Sequence, residues 1–191
     1  VRLEPVGVLG LIMPWNFPVA LPLRAMVPGL LAGNGIVFKP SEHTARLGAF
    51  LGELCAEHLP EDLVQVVQGG GEQGAAVVAG GVDRVFFTGS VVTGKKVHML
   101  AAENFLATSL ELGGKDAAVV LPDADPARAA AGLVWAAFGF AGQNCAAIER
   151  AYIHASIFDE VRTQVVERTR ALRPLLDVGP LVTPEQLETV K

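Results

Sequence analysis

The chain has 191 residues, 51% of them hydrophobic and 18% charged, with a net charge of −5. That composition sustains a packed core in one domain or two small ones and, with no basic cluster, excludes a nucleic-acid surface. Two cysteines, Cys55 and Cys145, stand outside any CxxC pattern and indicate a reducing, cytoplasmic setting, while four scattered histidines predict no metal site. No apolar run of about 18 residues is free of Pro, Gly and charge, so no membrane span is expected.

Val6–Met13 is a continuous apolar run with β-branched content that stops at Pro14, which predicts a buried strand. Leu21–Leu31 is apolar with a Pro near each end and reads as a helix. Gly35–Lys39 is a second strand, closed by Pro40. Residues 43–58 carry apolar side chains at Ala45, Leu47, Phe50, Leu51, Leu54 and Cys55, a helical face. Leu63–Val67 is a third strand, Ala75–Ala79 a short helix, and Arg84–Phe87 a fourth strand. Alternating strands and helices signify an open, Rossmann-like parallel α/β sheet. Ligands of such sheets sit beyond the carboxyl ends of the strands, where this sequence places Asn16, Lys39–Glu42, Gly69–Gly71 and Thr88–Ser90.

After Lys115 the pattern restarts. Asp116–Leu121 is a strand. Asp125 and Pro126 make an N-cap and first helical position, opening an Ala-rich helix to about Phe138. Ala151–His154 is a strand, and Ser156–Asp159 resembles a capping box that opens a helix to about Leu172. A boundary near Gly113 divides the chain into residues 1–112 and 113–191. The chain starts at Val1 without an initiator Met, and a helical pattern is still running at Lys191. It reads as cut at both ends.

Three local patterns bear on chemistry. Cys145 ends Phe140-Ala-Gly-Gln-Asn-Cys145, an amide- and Gly-rich turn between apolar segments. Alone, a cysteine is by default a small buried hydrophobe, but in such a turn nearby N–H groups can favour the nucleophilic thiolate. Gly69-Gly-Gly71-Glu-Gln-Gly74 matches G-x-G-x-x-G after a strand, yet no acidic residue ends a following strand about 20 residues on, so the match is weak. Gly89-Ser-Val-Val-Thr-Gly94 also follows a strand, and Ser90 can cap the helix it opens, a setting suited to a pyrophosphate. Either loop alone is equally an ordinary strand-to-helix turn.

Taken together, Pro14-Trp-Asn-Phe-Pro18, Lys39-Pro-Ser-Glu42, Phe87-Thr-Gly-Ser90, Glu111-Leu-Gly-Gly-Lys115 and Gly142-Gln-Asn-Cys145 resemble, in order and spacing, the motifs of the aldehyde dehydrogenase superfamily across essentially the whole chain. Members of that family are more than twice this long. The resemblance is to their middle: most of a coenzyme-binding domain (1–112) and the start of an α/β catalytic domain (113–191). The family's nicotinamide-ribose Glu-Phe segment and oligomerisation strand have no counterpart here, and Pro174–Asp177 replaces a longer loop. An unfinished sheet leaves edges and apolar faces uncovered, so the 191-residue chain alone is expected to be insoluble or oligomeric and inactive.

The resemblance implies that Cys145 is the nucleophile, that the Asn16 amide and the Cys145 N–H form an oxyanion hole, and that Glu111 is the base that hydrolyses the thioester. It further implies coenzyme contacts from Lys39, Ser41 and Glu42, from Phe87, Thr88, Gly89, Ser90 and Gly94, and from Gly71 and Leu112, with Trp15 packed beneath the site. A carboxylate at Glu42 accepts from a free 2′-hydroxyl and repels a 2′-phosphate, which favours NAD over NADP. The implied protein is a cytoplasmic homodimer or homotetramer that oxidises an aldehyde. A CoA-acylating relative is one alternative, but such relatives typically lack the base matched by Glu111. A non-catalytic binding or structural protein of the same fold is another. The substrate is not legible: the residues near Phe140 and Ala146 are apolar and small, and Glu149–His154 resembles relatives acting on semialdehydes or aliphatic aldehydes.

Overall fold

A computed structural model describes residues 4–191, which divide after Gly113 into two compact units. Among the described residues the first unit is a five-stranded parallel sheet: β1 (Val8–Ile12), β2 (Gly35–Lys39), β3 (Val64–Val66), β4 (Arg84–Thr88) and β5 (Ala107–Glu111). The spatial order is β3-β2-β1-β4-β5. From β1 the chain winds outward to β3, then returns to the other side of β1 for β4 and β5. The winding direction therefore reverses between β1 and β4, whose Ile12 and Phe87 lie side by side.

Four helices cover both faces: α1 (Ala20–Leu31), α2 (Ala45–His58), α3 (Gly71–Ala79) and α4 (Val91–Glu103). The strand period of two distributes β1 between two cores. Leu9, Leu11 and Met13 pack with Met26, Ile36, Phe38 and Leu51. Ile12 packs with Val77, Val78, Val85, Phe87 and Val97. Burial on both faces is why these strands read as unbroken apolar runs.

Two readings of this unit are amended. Helix α3 begins at Gly71 rather than Ala75, because the Gln73 side chain reaches back to accept from the Gly70 N–H at 2.9 Å and starts the helix early. Strand β5 was not marked by any apolar run. Its Ala-Thr-Ser-Leu-Glu sequence suits the sheet edge, where it pairs only with β4 and stays half-covered.

The second unit pairs β6 (Asp116–Val120) in parallel with β7 (Ile148–Ile153) and packs α5 (Pro126–Phe138) and α6 (Phe158–Ala171) around Val120, Ala130, Leu133 and Val161. A last helix, α7, spans Pro184–Val190. Asp125 caps α5 as expected, its carboxylate accepting from the Arg128 N–H at 2.8 Å with Pro126 in the first turn. The capping box at Ser156–Asp159 does not form. The chain enters α6 through a 3-10 turn at Ala155–Ile157, and the Ser156 hydroxyl is 2.8 Å from His154 Nδ1 instead of at the helix start. No helix among the described residues is long and apolar enough to cross a membrane.

Candidate active site

The carboxyl edge of the first sheet gathers the polar residues that interrupt its strands. Beyond β1 stand Trp15 and Asn16, both half-buried, and beyond β4 stand Gly89 and Ser90. These two ends flank the winding reversal, the place where open α/β sheets leave a crevice for a ligand. Asn16 Oδ1 accepts from the Phe17 N–H at 3.1 Å, which fixes the amide plane and directs its NH₂ the other way. Glu111 ends β5 exposed to solvent, its carbonyl accepting from the Gly89 N–H at 3.0 Å.

Beyond β2, Lys39 is buried at 4% exposure. Its ammonium donates to the Pro40 carbonyl at 2.8 Å and pairs with Glu42 Oε2 at 3.4 Å. An ammonium so placed is costly unless partnered, and two partners leave one donor free for a ligand. Partial burial alone would raise the Glu42 carboxyl, but a backbone N–H, the Lys39 ammonium and His43 outweigh it and hold the group below its ordinary value. Ser41, also buried, accepts from the His43 N–H at 3.3 Å and sets the 3-10 turn that carries Glu42.

The Gly89–Gly94 loop joins β4 directly to the N-terminus of α4. Ser90 caps α4, its Oγ accepting from the Thr93 N–H at 3.2 Å. The earlier N–H groups of that first turn have no intrahelical acceptor and point outward with the helix dipole, as an anion requires. The glycines serve packing. A Cβ on Gly94 would lie 2.5 Å from Leu112 and 3.2 Å from Phe87, and one on Gly89 would lie 2.6 Å from the Phe87 ring. Phe87 is core, at 4% exposure, so its side chain supports the loop from below, while Thr88 and Leu112 are half-buried beside it. In the other Gly-rich loop, Gly71 is exposed at the start of α3. Gly69 adopts φ +139° against the Gln73 side chain. The edge as a whole fits a dinucleotide: an open helix N-terminus after β4 for the diphosphate, and a cation–carboxylate pair after β2, on the far side of β1, for a ribose diol.

The thiol lies in the second unit. Helix α5 ends at Phe138, and Phe140, Ala141 and Gly142 then take left-handed φ of 54°, 56° and 73°. Two non-glycine residues in that region are a local strain, which the surroundings hold in place. Gln143 is the brace. Its side-chain NH₂ donates to the carbonyls of Phe140 (3.1 Å) and Pro180 (3.3 Å), and its Oε1 accepts from the Val182 N–H at 2.9 Å. Asn144 closes the turn, its carbonyl accepting from Ala147 N–H at 3.0 Å and its Oδ1 from Ala146 N–H at 3.1 Å. Cys145 is left exposed, with Sγ 3.7 Å from Asn144 Oδ1. Gln143 was not singled out in the sequence, although an amide two residues before a thiol in an irregular turn is the signal that would have found it. Cys55 differs: its Sγ lies 3.7 Å from Met26 Sδ, and burial pushes its thiol up, so it is packing, not a nucleophile.

Among the described residues no group of three or more His, Cys, Asp or Glu side chains could hold a metal ion. A cavity of about 390 Å³ between α5 and α6 is lined by Trp135, Phe138, Arg168 and Leu172, and Cys145 is not part of it.

The profile of the aldehyde dehydrogenase family matches residues 1–191. The chain is 38% identical to 4,4'-diapolycopene aldehyde oxidase of Methylomonas, over 98% of this chain and 36% of that protein. It is 39% identical to 3,6-anhydro-alpha-L-galactose dehydrogenase of Streptomyces coelicolor, over 100% of this chain and 41% of that protein. An NAD+ complex of an aldehyde dehydrogenase from Bacillus cereus superposes with a TM-score of 0.94 at 37% identity, covering 99% of this chain and 40% of that one. The chain thus spans only 36% and 41% of the length of the two curated relatives.

Proposed function

This chain belongs to the aldehyde dehydrogenase family, and from that premise we propose that the protein oxidises an aldehyde to its carboxylic acid with NAD as coenzyme, through a covalent intermediate on Cys145. The observation that carries the proposal is the exposed thiol at the end of a braced, left-handed turn, in a chain whose other unit presents a dinucleotide-type sheet edge.

Cys145 attacks the aldehyde carbonyl as its thiolate, forming a C–S bond and a tetrahedral oxyanion. The Asn16 NH₂ and the Cys145 N–H donate to that oxyanion. A single such donor is typically worth about 3 kcal/mol of barrier. Bound NAD would supply the hydride acceptor, and loss of a hydride from that carbon as the C=O bond reforms would leave a thioester on Cys145. Glu111 takes a proton from water, the water oxygen attacks the thioester carbon, the C–S bond breaks, and the acid leaves with the thiolate restored. The first turn of α4 with Ser90 would hold the diphosphate, and Lys39 with Glu42 would hold the adenosine ribose. Glu42 disfavours a 2′-phosphate, so NAD is preferred over NADP. The same reading carries a cytoplasmic homodimer or homotetramer.

Cys145→Ser in the complete natural protein tests it. Aldehyde-dependent NADH formation should vanish while the NAD dissociation constant stays within about twofold, and wild-type turnover by the variant would overturn the assignment. Formation of NADH only when CoA is added would replace hydrolysis with acyl transfer to CoA.

A further inference from the structure

We propose that Gly114 is a positioning residue for Cys145: its missing side chain sets how closely the main chain of the thiol loop approaches the segment entering β6. The inference rests on the role of Cys145 proposed above. A Cβ on Gly114 would overlap the carbonyl oxygen of Cys145 and the carboxylate of Asp116. The carboxylate ends an exposed side chain and can swing away, whereas the carbonyl is main chain and cannot. Gly114 is not among the residues with positive φ, so the position requires the space of a glycine and not its torsional freedom.

The surroundings direct where an added methyl would be felt. On one side, Lys115 is held twice, by an ion pair with Glu149 and by its carbonyl, which accepts from Arg150 Nη2 at 2.5 Å. The β6–β7 ladder is irregular at this level. Asp116 faces Ile148 and Ala117 faces Arg150, so Glu149 has no partner across the strands and its side chain is the clasp. Such bulges re-aim side chains beside reacting groups. On the other side Cys145 and Ala146 are exposed, and Ala147 is the first buried residue. Both segments are tied, the thiol loop through Gln143 and Asn144, and the atom of that loop that stands in the path of the methyl is the carbonyl oxygen of Cys145 itself. Gly114→Ala therefore pushes on Cys145, whose N–H and Sγ are both needed at the reacting carbon. Displacement of reacting groups by about 1 Å costs on the order of a hundredfold in rate, and a few tenths of an ångström roughly tenfold. Gly113 is the internal comparison, because a Cβ there meets nothing within 4 Å among the described residues.

The test uses the complete natural protein and its Gly114→Ala, Gly113→Ala and Cys145→Ser variants. Stopped-flow NADH formation reads acylation, fluorescence titration reads NAD binding, and the pH profile of alkylation by iodoacetamide reads the thiol itself. Gly114→Ala should slow the burst roughly tenfold or more, leave the NAD dissociation constant within about twofold, and shift the alkylation profile, while Gly113→Ala matches wild type in all three. A wild-type burst and profile in Gly114→Ala, or equal losses in both glycine variants, overturns the inference. Normal turnover by Cys145→Ser overturns instead the proposed nucleophile, and the alkylation profile, which needs no turnover, still reports on the Gly114 contact. If Gly114→Ala does not fold, Glu149→Gln decides. It opens an exposed pair that adds little to stability, and it should slow the burst a few-fold, roughly in proportion to a smaller displacement, with an unchanged melting temperature. A wild-type burst there refutes the clasp.

Discussion

Replacing Lys39 with Met keeps the length of the stem and removes only the ammonium, and coenzyme affinity should then separate from stability. Without ligand, the ammonium has two contacts, a 2.8 Å bond to the Pro40 carbonyl and a 3.4 Å pair with Glu42, and the side chain is 5% exposed. Replacing a buried ion by an apolar group of similar volume is often neutral or stabilising. Against that stands one carbonyl that loses its donor. Glu42 is half-exposed, so its carboxylate keeps its water. These opposing terms, each about 1–3 kcal/mol, should leave the melting temperature within a few degrees. Binding has no such compensation. A charged hydrogen bond to a ribose hydroxyl is worth about 1.5–3 kcal/mol, so the NAD dissociation constant should rise roughly tenfold to a hundredfold. Fluorescence titration of NADH alongside a thermal melt measures both. An affinity within about twofold of wild type would show that Lys39 does not hold coenzyme. A collapse of the melting temperature together with affinity would show that its role is structural.

Glu111→Gln should preserve a pre-steady-state burst of NADH and stall later turnover, and equal loss of both phases would move Glu111 from deacylation to thiol activation or folding. Glu42→Ser should narrow the preference of kcat/KM for NAD over NADP, and a wild-type preference for NADP would refute the reading of Glu42. At the Arg173–Asp177 pair the guanidinium hydrogen bonds, joined by the Arg173 N–H, hold the Asp177 carboxyl at about 2 against an ordinary 3.8. Because the folded value is depressed, the pair's contribution is complete above the ordinary value and is lost as pH falls through about 2. Carbonyl-detected NMR should give a midpoint near 2, and one near 3.8 would show that the turn is open in solution.

The strands and helices of the first unit were legible because a parallel sheet buried on both faces writes each strand as an apolar run bounded by polar punctuation. For the same reason the residues that end those runs, Asn16, Lys39 to Glu42 and Gly89 to Ser90, were legible as candidates. The cap residues Ser90 and Asp125 also declared themselves, since a cap is a contact across only three residues. What the sequence could not decide depends on chain segments far apart. The order β3-β2-β1-β4-β5, which sets the end of β1 beside the end of β4, arises from which edge of β1 each later strand pairs with, and that choice leaves no local period. Edge strand β5 escaped notice because a half-covered strand needs no apolar run. The double brace of Gln143 onto Pro180 and Val182, and the close approach of Gly114 to the Cys145 carbonyl, exist only once separate stretches of main chain pass within bonding distance. A glycine or an amide looks the same in sequence whether its neighbour is solvent or another backbone, and only the tertiary structure says which.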